Sequence, residues 1–187
     1  NHKPEEQFLV GGEESYGYLI GDAVRDKDAV ASAVMIAEMA ANAKSQGRTV
    51  LQQLKAIHRE FGQYQERLIS ITKKGRSGAQ EIADMMTALR NDPPKTLAGS
   101  PVVIAIDHNN STQTDLRTGA TSSTALPASN VLQFITEAGD KVSARPSGTE
   151  PKIKFYFSVR ATTGESHAAT KAELERKIDT FIEELNL

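Results

Sequence analysis

Lys152-Ile153-Lys154-Phe155-Tyr156-Phe157-Ser158-Val159-Arg160 alternates polar and apolar residues without a break. The period of two predicts a β-strand over Ile153–Arg160. Ile153, Phe155, Phe157 and Val159 face a core, and the lysines, Tyr156, Ser158 and Arg160 face water. One buried face and one wet face is the mark of an antiparallel sheet covered on one side. Upstream, Asn130–Thr136 and Lys141–Ala144 are two further strands joined by the turn Glu137-Ala138-Gly139-Asp140, a hairpin signal. Downstream, Ser166 is placed to cap a last helix with Leu174, Ile178, Ile182 and Leu185 spaced for burial.

Working back toward the N-terminus, Arg67–Thr72 reads as a strand and Ser77 with Gln80 as a capping box opening a helix to about Arg90. Asp92-Pro93-Pro94 ends that helix and begins a loop to Pro101, and Val102–Asp107 is a strand rich in β-branched residues. His108–Ser123 is polar and reads as irregular loop with room for one short strand. Before Gly62 the pattern changes. Phe8-Leu9-Val10 is a short buried strand that stops at Gly11-Gly12 and opens a loop through Gly17. Asp26 or Asp28 caps an Ala-rich, packed helix to about Gln46, and Thr49 caps a second one that ends at Gly62. The predicted fold is therefore α+β: residues 63–187 form an antiparallel sheet with helices on one face, preceded in residues 1–62 by the tail of an α/β domain.

The chain has 187 residues, 39% of them hydrophobic, which is enough for a core. Its net charge of −2 offers no electrostatic basis for binding nucleic acid or an anionic membrane surface. No apolar run is long enough to span a bilayer, and the polar N-terminus is not a signal peptide. With no cysteine, a disulfide framework, a zinc-thiolate site and a thiol nucleophile are excluded, and a reducing compartment fits. The chain starts without methionine and enters a strand almost at once, so it is expected to be a piece of a longer polypeptide.

Two loops carry chemistry. Arg145-Pro146-Ser147-Gly148-Thr149 lies between strands. A guanidinium matches two phosphate oxygens, Ser147 and Thr149 bring hydroxyls, and Gly148 lets backbone N–H groups approach an anion. Lys154, on the wet face of the next strand, adds charge. Taken alone, the segment also reads as an ordinary hairpin loop, since its residues are turn formers. Gly12-Glu13-Glu14-Ser15-Tyr16-Gly17 follows a strand end. There Glu13 can accept from sugar hydroxyls and Ser15 can donate or accept, the two pointing the same way. Taken alone, it also reads as a solvated acidic loop.

Arg145–Tyr156, reading RPSGTEPKIKFY, resembles the phosphate loop of the last domain of α-D-phosphohexomutases, the phosphoglucomutase/phosphomannomutase family. Ser129–Phe134 resembles the strand before it, and Gly12-Glu13-Glu14-Ser15 the family's sugar loop. The resemblance implies an intramolecular phosphotransferase that interconverts hexose 1-phosphate and hexose 6-phosphate through a bisphosphate. It assigns Arg145, Ser147, Gly148, Thr149 and Lys154 to the phosphate that is not transferred, and Glu13 and Ser15 to the sugar's middle hydroxyls. Lys27, in a family-like Arg25-Asp26-Lys27-Asp28 segment, is offered as a substrate contact or proton relay; the same residues read equally as a capped helix start. Asp115-Leu116-Arg117-Thr118-Gly119 also resembles a family segment, with no evident physical role.

The family's phosphoserine loop and its aspartate loop for magnesium do not occur in this sequence. Mg²⁺ is expected in the full-length enzyme and not in this chain, which is expected to need missing N-terminal domains and to be inactive alone. Hexose phosphate and hexose bisphosphate are the implied ligands, and the cytoplasm the implied location. The sequence leaves two alternatives: a stand-alone phosphosugar- or anion-binding module, and a piece of a glucosamine-type mutase. Among other candidates, His2, His58, His108 and His167 are expected at the surface, and Lys73-Lys74-Gly75-Arg76 as a solvated basic turn.

Overall fold

The structure is a computed structural model and describes residues 7–73, 75–161 and 166–187. The expectations for His2, Lys74 and the Arg76 side chain lie outside the described residues. The chain divides into two compact units, Asn1–Ile57 and His58–Leu187.

In the first unit, β1 (Val10–Gly12) and β2 (Tyr18–Ile20) form an antiparallel hairpin with Gly12 opposite Tyr18. The expected loop through Gly17 is therefore the tip of a hairpin. Three-residue strands rich in glycine carry too little alternation to be read from sequence. Helix α1 (Ala29–Ser45) starts where Asp28 accepts hydrogen bonds from Val30 N and Ala31 N, satisfying two of its free donors. Helix α2 (Val50–Phe61) opens with a reciprocal capping box: Thr49 N donates to Gln52 Oε1 and Gln52 N to Thr49 Oγ1. The expectation that α1 is well packed fails. Its buried residues are Ser32 and Ala43, while Val30 is 74% exposed and Ile36 56%. A two-stranded hairpin is too small a surface to cover a helix of this length.

The second unit is built on β10 (Lys152–Ala161), which pairs antiparallel with β3 (Gln63–Thr72) on one side and β9 (Lys141–Pro146) on the other. The sheet continues through β8 (Leu132–Thr136), β5 (Ser100–Asp107), β6 (Thr112–Asp115) and β7 (Thr121–Ser123), every pairing antiparallel. A two-residue strand, β4 (Thr96–Leu97), pairs with the start of β5 across a turn at Ala98 and Gly99, both at positive φ. Helices α3 (Gly75–Asn91) and α4 (His167–Glu184) bury Ile82, Met86, Leu174, Ile178 and Phe181 in the same cluster as Phe134, Val142, Ile153, Phe155, Phe157 and Val159. Helices thus cover one face of an antiparallel sheet, as the alternation of β10 requires. Phe157 meets Phe181 edge to face with ring centres 6.4 Å apart.

Two boundaries differ from the sequence reading. Helix α3 begins at Gly75, so Ser77 lies inside its first turn rather than at its cap, and Gln80 donates to Asp84 instead of closing a capping box. The stretch after His108 is more ordered than expected, with two strands, β6 and β7, joined by a turn held by Asp115. One Asp115 oxygen accepts from Arg117 N and Thr118 N, and the guanidinium of Arg117 binds both oxygens.

Candidate functional site

Residues 147–151 form the tip of the β9–β10 hairpin, where the sheet runs out and its side chains meet solvent. Ser147 N donates to Lys152 O at 2.7 Å and Lys73 N to Pro151 O at 2.9 Å, tying the tip to its own strand and to the end of β3. Within the loop, the Ser147 hydroxyl accepts from Thr149 N at 3.4 Å and Glu150 N at 3.3 Å, both long bonds. A Cβ built on Gly148 would meet nothing within 4 Å, so the backbone there is open to an approaching group.

This tip walls a cavity of about 420 Å³ lined by Arg145, Pro146, Ser147, Gly148, Thr149, Glu150, Lys152 and Lys154. The five residues named from sequence for an anion, Arg145, Ser147, Gly148, Thr149 and Lys154, all lie on it. Arg145 and Lys154 are directly opposed across the β9–β10 ladder. The Arg145 side chain is exposed and makes no hydrogen bond or ion pair among the described residues. The Lys154 ammonium lies 5.9 Å from the centre of the Tyr156 ring, on the same face of the strand. Sequence reading missed Lys152 and Glu150 as cavity residues, although the period of two that placed Lys154 places Lys152 beside it.

In the first unit, the tip of the β1–β2 hairpin brings Glu13, Ser15 and Lys27 together. Glu13 N donates to Gly17 O at 2.8 Å, and Tyr16 turns the chain at a φ of 65°. The Ser15 hydroxyl lies 3.4 Å from Glu13 Oε2, and Lys27 Nζ lies 3.5 Å from Glu13 Oε1 and 3.0 Å from Asp26 Oδ1. The hydrogen bond that Lys27 donates to Asp26 and the Asp26 charge, with a smaller contribution from Glu13, raise the Lys27 pKa above its ordinary value. Lys27, Asp26 and Glu13 thus form an exposed charged cluster beside the hairpin tip.

The histidines depart from expectation. His108 is buried and its Nε2 lies 3.1 Å from Gln133 Oε1, while Gln133 Nε2 donates to Ser143 Oγ at 3.1 Å, a polar row across the uncovered sheet face. His58 Nδ1 and His167 Nε2 are 3.1 Å apart. Sequence separation hides such pairs until the fold closes them. Among the described residues, no three His, Cys, Asp or Glu side chains converge to hold a metal ion. No helix among the described residues is long and apolar enough to cross a membrane.

The fold and its loop define a class, an α+β sheet unit that ends in a turn lined by hydroxyls and cations. Residues 2–61 match the family described as phosphoglucomutase/phosphomannomutase, alpha/beta/alpha domain III. A phosphoglucomutase of Staphylococcus haemolyticus is 40% identical over 82% of this chain and 28% of its own length. A probable phosphomannomutase of Haemophilus influenzae is 39% identical over 91% of this chain and 32% of its own length. Among solved structures, the open form of pp63/parafusin, a phosphoglucomutase of Paramecium, superposes with a TM-score of 0.62 at 18% identity, over 95% of this chain and 30% of that one; it supports the fold. The chain belongs to the phosphoglucomutase/phosphomannomutase family. It spans about 30% of the length of these relatives.

Proposed function

We propose that this chain is the part of a phosphohexomutase that grips the substrate, holding the phosphate that stays in place and the hydroxyls of the sugar, with the complete enzyme interconverting hexose 1-phosphate and hexose 6-phosphate in the cytoplasm. The observation that carries this reading is the cavity bounded by Arg145, Ser147, Gly148, Thr149 and Lys154. Arg145 supplies a two-pronged donor, the loop amides and hydroxyls supply short-range donors, and Lys154 adds a second charge. Hydrogen bonds to a charged group contribute roughly 1.5–3 kcal/mol each, so a few are enough to hold a phosphate dianion.

Glu13 and Ser15 form the second half of the proposed grip, with Lys27 as the positioning cation of Glu13. A substrate that presents first one end and then the other to the reacting centre keeps its middle hydroxyls in nearly one place. A fixed acceptor pair therefore serves both orientations. These residues bind, orient and neutralise charge; none is a nucleophile. The nucleophile and the magnesium site are assigned to polypeptide outside these 187 residues.

The test is titration of glucose 1-phosphate and mannose 1-phosphate into the 187-residue chain, followed by amide shifts of Gly148 and Thr149 and by an activity assay with magnesium. Saturable shifts without turnover are expected. Absence of shifts at either sugar phosphate, or turnover by the chain alone, overturns the proposal.

A further inference from the structure

The rim of the loop cavity holds two charged residues that the reading above leaves unused, Glu150 and Lys152. Lys152 opens β10 and shares its polar sheet face with Lys154, two residues on. Its Nζ lies 3.6 Å from Glu150 Oε2, and the two side chains are 33% and 64% exposed. We propose that Lys152 is a third cationic ligand of the phosphate, and that Glu150 is a counterion that occupies Lys152 until the phosphate arrives. The inference rests on the assignment of this loop to phosphate and deepens it.

Charge matching supports it. Arg145, Lys152 and Lys154 are cations and Glu150 is an anion, so the cavity carries two net positive charges against the two negative charges of a phosphate monoester. With only Arg145 and Lys154 counted beside Glu150, the cavity would fall one charge short. The loop amides are arranged in the same provisional way. Thr149 N and Glu150 N donate to the hydroxyl of Ser147 through long bonds, which a phosphate oxygen can replace. The Lys152–Glu150 contact is likewise long and wet, the kind of ion pair that contributes little. Thr149 N, Glu150 N and the Lys152 ammonium thus each have a weak acceptor within the loop, which a dianion can replace. Glu150 then sits beside the bound phosphate as a like charge. It lowers affinity and speeds release, which suits a site that must let its phosphate go when the substrate turns over.

The test is inorganic phosphate titrated into the 187-residue chain, read from the Gly148 and Thr149 amides, at low and at high salt. The variants are Lys152→Met, Lys152→Arg, Glu150→Gln and Arg145→Ala. Moving one unit charge at about 4 Å in water changes affinity about five-fold. Lys152→Met is expected to weaken binding by about that factor, Lys152→Arg to leave it near wild type, and Glu150→Gln to tighten it by a similar factor. Both differences should shrink near 1 M salt, where the screening length is about 3 Å. A merely structural role for Lys152 moves neither the sign seen with Glu150→Gln nor the salt dependence. Should Lys152→Met fail to fold, Glu150→Gln decides alone, since it alters only an exposed carboxylate. If wild type binds, Arg145→Ala abolishes binding, and the Lys152 and Glu150 variants match wild type, this inference is wrong while the phosphate assignment stands. If wild type binds no phosphate, the assignment itself fails and this inference falls with it.

Discussion

Arg145 and Lys154 face each other directly across adjacent antiparallel strands. Two like charges in that position repel, and such cross-strand pairs contribute roughly 0.2–1 kcal/mol, with the sign set by charge. An anion held between the two cations, as proposed above, would turn that repulsion into attraction.

Arg145→Ala is therefore expected to move stability and function in opposite directions. Unfolding in urea should show a midpoint equal to or slightly above wild type, since a repelling partner is gone and the removed side chain was exposed. In the complete enzyme, kcat/KM for hexose 1-phosphate should drop by well over tenfold, the effect of losing a bidentate charged contact. Unchanged kinetics, or a marked loss of stability, counts against the assignment.

The part of the molecule that holds this site was the easiest to read from sequence. Strand β10 declares itself because Ile153, Phe155, Phe157 and Val159 are all at most 1% exposed, so the period of two in the sequence is the period of burial. The β8–β9 hairpin and the Asp28 cap were legible for similar reasons, being local signals between neighbours in the chain. What stayed hidden was either too short or too distant. Strand β4 has two residues, and β1 and β2 have three each, below the length at which alternation can be recognised. The links of His108 to Gln133 and of His58 to His167 join residues far apart in sequence. The candidate residues Arg145 and Glu13 were readable by type, but the ion pairs Lys27–Glu13 and Lys152–Glu150 appear only in the folded chain.

The core makes a simpler claim. Phe155 is 1% exposed and sits at the centre of the sheet, opposite Ile69 on β3 and Ala144 on β9. Phe155→Ala should cost about 3–5 kcal/mol, combining lost apolar burial with the cavity left behind. Urea unfolding of the two proteins, followed by circular dichroism, measures it. A loss under about 1 kcal/mol would mean that the sheet and its two helices do not share one packed interior.

The turn at Asp115 gives a pH prediction. Hydrogen bonds from the Arg117 guanidinium and backbone hold the Asp115 carboxyl down to about 2 from an ordinary 3.8. A carboxyl that is more acidic in the folded state adds stability that is complete above 3.8 and disappears as pH falls toward about 2. The Asp115 carboxyl carbon should titrate in NMR with a midpoint near that lower value. In Asp115→Asn the acid limb of the stability curve should flatten over the same window. A midpoint at the ordinary carboxylate position would show that Arg117 does not hold this turn in solution.

Asp140 poses the sharpest test of the interior. Its side chain is fully buried at the β8–β9 turn, where Oδ1 accepts from Arg160 N at 3.0 Å and Oδ2 lies 2.5 Å from Lys177 Nζ on α4. A buried carboxylate survives only with its partner, so Lys177→Met should lose about 3–5 kcal/mol by leaving that charge uncompensated. The double variant Asp140→Asn with Lys177→Met removes both charges and should recover a large share of the loss, because the penalty comes from the orphaned ion more than from the missing attraction. Additive losses in the double variant would mean that water reaches Asp140 and that α4 does not seal this end of the sheet.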